Sequence, residues 1–250
     1  MISKTFRIAL AIVLSSFALS FAYGATCSNA SVRGTYGFLH DGTDSNGTPA
    51  TAAVSQLTFD STTGTFTGET TASHDGVIAT EPLTGTYIVA SNCTGTGTPA
   101  GGSPFSIVVT STGFLAVHPF SEGFAVKQAF PTCTNAGVKG SYGFETTGVY
   151  LAGAPAIGSV AFIGELMLTV NASGEGVISG HIVGAEDSTT LPEEPVAGSY
   201  TVDKDCRGIA TITPKVHPEM HFSFVVVDCG KELLAIETDA DTVVSGTLQR

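Results

Sequence analysis

Cys27-Ser28-Asn29-Ala30-Ser31-Val32-Arg33-Gly34-Thr35-Tyr36-Gly37-Phe38 returns 106 positions later as Cys133-Thr134-Asn135-Ala136-Gly137-Val138-Lys139-Gly140-Ser141-Tyr142-Gly143-Phe144. A second block also recurs. Leu83-Thr84-Gly85-Thr86-Tyr87-Ile88-Val89, followed by Asn92-Cys93, matches Val196-Ala197-Gly198-Ser199-Tyr200-Thr201-Val202, followed by Asp205-Cys206. Solenoid repeats have a period of about 20–50 residues, so a unit of this length is a domain. Residues 25–130 and 131–250 are therefore expected to be two copies of one fold, joined by a linker of a few residues at Phe130-Pro131-Thr132.

Each copy is written in β code. Gly and Thr punctuate short alternating apolar runs, as in strands joined by tight turns. In the first copy the runs fall at 32–40, 52–59, 65–71, 77–79, 85–90, 93–98, 105–110, 114–118 and 123–128. In the second they fall at 138–146, 160–170, 176–183, 198–202, 206–213, 221–227, 232–237 and 243–248. About eight antiparallel strands in a meander leave two raw edges and an apolar face, and closure into a barrel removes both. The expected class is all-β, with two tandem eight-stranded meander barrels. A pair of β-sandwiches is the alternative.

Residues 1–24 read as a signal peptide. Lys4 and Arg7 form a basic start, Ile8 to Phe21 is mostly apolar, and Ala22-Tyr23-Gly24 supplies small residues for cleavage before Ala25. The expected location is secreted or periplasmic, with no transmembrane segment after cleavage. The formal charge of −12 becomes −14 without Lys4 and Arg7. So acidic a chain repels phosphate backbones and excludes nucleic acid as a partner. In an oxidising compartment the repeat itself suggests the disulfides, Cys27 with Cys93 and Cys133 with Cys206. Cys229 has no repeat mate and is left unpaired.

Gly-Thr-Tyr-Gly-Phe, then Thr-Gly-Thr-Tyr-x-Val with Asn-Cys-Thr-Gly, then Ile236-Glu237-Thr238-Asp239 together carry a resemblance to a group of uncharacterised secreted bacterial proteins with tandem Gly-Thr-Tyr-rich β units. It covers both copies. The group is similar in layout to small eight-stranded barrels of the calycin and allene-oxide-cyclase kind. That layout implies a fold and no activity. The first copy departs from the pattern, with Val117-His118-Pro119-Phe120 where the second has Ile236-Glu237-Thr238-Asp239.

No segment announces a reaction. His217-Pro218-Glu219-Met220-His221 has metal-ligating residue types, but Pro218 interrupts it and two further ligands are missing, so it reads as a solvated loop. His40-Asp41 and His74-Asp75 lack a Gly-x-Ser-x-Gly elbow. Tyr36, Phe38, Tyr87 and their mates Tyr142, Phe144 and Tyr200 read as barrel core, with an aromatic-lined cavity as the alternative. Asn29, Asn46, Asn92 and Asn171 fit the glycosylation pattern and read as turns. The expectation is an exported, non-enzymatic binding or surface-interaction module with no cofactor and no metal. Its partner is an unidentified protein, glycan or small apolar ligand. The alternatives are a lipocalin-like carrier, a barrel cyclase or isomerase, or a hydrolase using the C-terminal acids. Loops on a rigid scaffold usually carry binding. Contact is therefore expected on the second copy, around Glu186, Asp187, Glu193 and Glu194 and around Glu237, Asp239 and Asp241, with Asp239-Ala240-Asp241 as a solvated turn.

Overall fold

The computed structural model describes residues 26–43, 47, 49–130, 132–154, 157–187 and 189–250. The expected signal peptide lies outside them. The described residues form strands and short 3₁₀ turns, with no α-helix.

In the first unit β1 (Gly34–Thr43), β2 (Pro49–Asp60), β3 (Thr65–His74), β4 (Val77–Val89), β5 (Thr94–Pro99), β6 (Phe105–Val109), β7 (Gly113–His118) and β8 (Ser121–Lys127) pair in sequence order. β8 returns to β1, with Phe38 opposite Ala125, and closes the barrel. The second unit has β9 (Gly140–Tyr150), β10 (Gly158–Val170), β11 (Gly176–Glu186), β12 (Thr189–Thr190), β13 (Glu194–Val202), β14 (Arg207–Pro214), β15 (Met220–Val227), β16 (Glu232–Glu237) and β17 (Thr242–Gln249). Its ring closes where β17 pairs with β9, and the two-residue β12 hangs outside on β11. The class is thus two antiparallel eight-stranded barrels rather than sandwiches.

One boundary differs from the sequence reading. β4 is continuous through Pro82, where two runs were expected. Upstream of Gly85, β4 pairs only with β3, so the missing N–H of Pro82 falls on an unpaired edge, where proline is tolerated.

Both barrels are sealed at one end in the same way. A 3₁₀ turn, Asn29–Val32 or Asn135–Val138, tucks a fully buried valine beneath the strands. Asn29 Oδ1 accepts from the Val89 N–H at 2.8 Å, and Asn135 Oδ1 accepts from the Val202 N–H at 2.7 Å. Tyr87 and Tyr200 donate their hydroxyls to the carbonyls of Asn29 and Asn135. Disulfides Cys27–Cys93 and Cys133–Cys206 pin each turn to its barrel, and Cys229 is a free thiol. The recurring Asn and Tyr are therefore closure residues.

The barrels dock side by side. Alternate residues of β1 and β2 leave the lumen and pack on the second barrel: Leu39, Ala52 and Val54 meet Val225, Leu234 and Ile236 in one dry cluster. Gln128 Nε2 donates to the Val226 carbonyl at 3.0 Å, the Asp241 N–H donates to the Gly76 carbonyl at 2.9 Å, and Arg207 pairs with Glu69.

Candidate functional site

The strand registers superpose the two barrels residue by residue. His40 lies opposite Ala53, and Ala53 lies opposite Ala72. In the second barrel the same chain of pairs runs Thr146, Phe162, Gly184. Hence Ala53 is the counterpart of Phe162. On the other side His40, Gly123 and Ala116 match Thr146, Gly246 and Ala235. Two residues onward along β3 and β7, His74 and His118 match Glu186 and Glu237.

These equivalences separate a hollow barrel from a filled one. The first lumen holds a cavity of about 260 Å³ that opens at the mouth away from the disulfide. Ala53, Ser55 and Thr70 face it from β2 and β3. Their counterparts are Phe162, Gly164 and Ile182. The buried Phe162 ring and Ile182 side chain occupy the corresponding layer, so that the second core holds a void of only about 20 Å³ elsewhere and a recess of about 160 Å³ remains beyond Phe162 at its mouth. The flanking aromatics register the difference. Phe38, Leu83 and Phe105 are only partly buried, because one side of each faces the cavity. Their counterparts Phe144, Val196 and Phe222 are 3%, 5% and 4% exposed.

Polar groups are confined to one wall and the rim of the first cavity. Ser55 Oγ donates to Thr70 Oγ1 at 2.9 Å. His40 stacks on Phe38 with ring centroids 5.9 Å apart. Burial, then the neighbouring His118 and His74, lower its pKa to about 4, so its imidazole is neutral at pH 7. His74 Nδ1 lies 3.2 Å from Thr51 Oγ1. The chain has six histidines, and three of them meet at this mouth.

The second mouth is carboxylate-rich around a smaller recess of about 160 Å³. Glu237 sits there at 3% exposure, on the lumen side of β16. Burial, then Asp239, raise its pKa to about 8, against a hydrogen bond from Tyr150. His217 pairs with the buried Glu194 and lies 3.8 Å from Glu186. His221 binds Asp239 at 2.7 Å and Glu219 at 3.2 Å. The two histidines thus turn to different acids. Among the described residues no group of three or more His, Cys, Asp or Glu is placed to hold a metal ion.

The acids singled out in the sequence are only partly in loops. Glu186 ends β11, Glu194 opens β13 and Glu237 ends β16; Glu194 and Glu237 are buried. Asp239 and Asp241 lie in the β16–β17 turn, and Asp187 and Glu193 are exposed beside β12. Glu186, Glu237 and Asp239 converge on the second recess, while Asp187, Glu193 and Asp241 do not line it. The mouth histidines of the first barrel were not singled out as a site, because His40, His74 and His118 are far apart in sequence. Their common signal is parity: each lies on the lumen-facing register of its strand.

No family model matches the sequence, and no curated protein matches it. Among solved structures, a protein of unknown function from the DUF3598 family of Nostoc punctiforme is similar, at 10% identity and a TM-score of 0.27. The match covers 88% of this chain and 97% of that one.

Proposed function

We propose that the protein is an exported, non-enzymatic binding module whose first barrel holds a small, mostly apolar molecule, with the second barrel as its filled structural partner. The observation that carries this reading is the cavity at Ala53, where the matching position of the second lumen is occupied by Phe162. A concave apolar site with a few convergent polar groups is the usual form of a small-molecule site. The cavity equals about nine liquid waters at ~30 Å³ each. That volume suits one ring, two fused rings or a short chain. Two disulfides agree with an oxidising compartment, as does the expected signal segment. No helix among the described residues is long and apolar enough to cross a membrane.

The test is titration with an apolar fluorescent probe, 1-aminonaphthalene, against the wild type and Ala53→Phe. Wild type binds with enhanced fluorescence, and Ala53→Phe loses binding while keeping its melting transition. Equal binding by both proteins, or none by either, overturns the reading.

A further inference from the structure

Resting on that reading of the first lumen, we propose that its ligand carries an anionic head group, held at the mouth by the imidazoles of His40, His74 and His118. The placement of these rings is the first ground. His74 lies opposite Thr51, Thr51 opposite Gly42, Gly42 opposite Ser121 and Ser121 opposite His118. Those five residues form one arc across five neighbouring strands at the barrel mouth. His40 lies one layer deeper, between that arc and the aromatic wall. A molecule seated against Phe38, Phe66 and Phe105 therefore ends among three imidazoles from three strands.

Charge is the second ground. The chain carries 22 acidic residues, yet none of the described residues lining this cavity is acidic. The nearby acids Asp41 and Glu122 sit on the opposite parity of β1 and β8 and line the groove between the barrels, which His118 and Ser121 border from the mouth side. The duplication supplies a third ground. On the same scaffold the second barrel places Glu186 and Glu237 where the first has His74 and His118. The second mouth thus carries carboxyl groups where the first carries imidazoles, whose N–H groups can donate to an anion. A carboxylate suits this rim because its oxygens accept from several imidazoles at once, and such charge-assisted bonds are stronger than neutral ones. A metal ion is the rival occupant for three histidines, and their present placement does not form a metal-holding group.

The experiment is calorimetric titration of the intact protein with octanoate, 1-octanol and octylamine at pH 7, on wild type and on His40→Leu/His118→Leu, with melting curves to confirm folding. A single His118→Gln variant serves if the double variant does not fold. Wild type is expected to prefer octanoate over both neutral and cationic analogues. The variants are expected to lose roughly tenfold to a hundredfold in octanoate affinity while retaining octanol. Octanol binding as tight as octanoate, unchanged in the variants, overturns the head-group inference and leaves the apolar cavity standing. Failure of all three probes on wild type removes both. Stoichiometric zinc in the purified protein, lost in His118→Gln, overturns the inference in favour of a metal site.

Discussion

Tyr150 points its hydroxyl at Glu237 across the mouth of the second barrel, 3.4 Å from Oε2. Glu237 is removed from water and Tyr150 is partly buried, and burial also pushes the Tyr150 phenol above its ordinary range. A single bond of that length does not replace the hydration of an ionised carboxylate. Glu237 is accordingly held protonated until well above the pH at which an exposed glutamate ionises.

This has a signed consequence for stability. Glu237, with its pKa raised from 4.5 to about 8, binds more proton in the folded than in the unfolded state across that interval. Its contribution is fully present below about pH 4.5 and is lost as pH rises through 8. His40 behaves oppositely. Its pKa falls from 6.5 to about 4, so stability is present above 6.5 and is lost as pH falls toward 4. Urea unfolding of Glu237→Gln is expected to show roughly 2–4 kcal/mol less loss between pH 5 and 9 than wild type. A parallel pH profile for the variant contradicts the assignment.

Phe162 is the ring that fills the second lumen, at 2% exposure, packed edge-on to His217 with ring centroids 6.0 Å apart. Phe162→Ala is expected to destabilise the second barrel by about 3–5 kcal/mol, the usual cost of a buried aromatic truncation. It should also create probe binding there, which remains when Ala53→Phe has closed the first lumen. Equilibrium unfolding and a titration of the double variant check both outcomes.

The fold was legible because its devices are local and are written twice: alternation, Gly-Thr turns, and Cys, Asn and Tyr at the sealed ends. The candidate site was not, because it arises from differences between the copies that only register exposes. Ala53 against Phe162 looks like ordinary drift until both residues are placed in the same lumen layer. Parity also decides the fate of Glu237. Leu233 and Ala235 face the second core, so Glu237, two further along, faces inward rather than into solvent. Counting acids in the segment cannot reveal that.

The Cys27–Cys93 bond closes a span of 66 residues and ties the sealing turn to the barrel. Constraint of the unfolded chain is worth about 4 kcal/mol for a loop of that size. Cys27→Ser/Cys93→Ser is expected to lower stability by up to that amount. It should also weaken protection from hydrogen exchange first at Val89, whose N–H is bonded to Asn29 Oδ1. Exchange measured by NMR or mass spectrometry checks the location, and an unchanged rate at Val89 with loss elsewhere contradicts it.

Gly37 and Gly143 are repeat mates with different surroundings, and this gives a test of the docked arrangement. A Cβ at Gly37 would sit 2.5 Å from Val227 Cγ1 and 2.9 Å from Val225 Cγ1, both side chains of the second barrel. At Gly143 the nearest atom to an added Cβ is the Gln249 carbonyl oxygen, 3.7 Å away. Neither position needs a left-handed backbone, so the difference is one of packing alone. Gly37→Ala is expected to force the sheets apart and cost about 1–3 kcal/mol, the usual penalty for overpacking. Gly143→Ala is expected to change stability by no more than about 0.5 kcal/mol, as surface substitutions do. Small-angle scattering should show Gly37→Ala more extended than wild type, with both barrels still folded by circular dichroism. Equal effects of the two substitutions would mean that β1 does not pack on β15 as described.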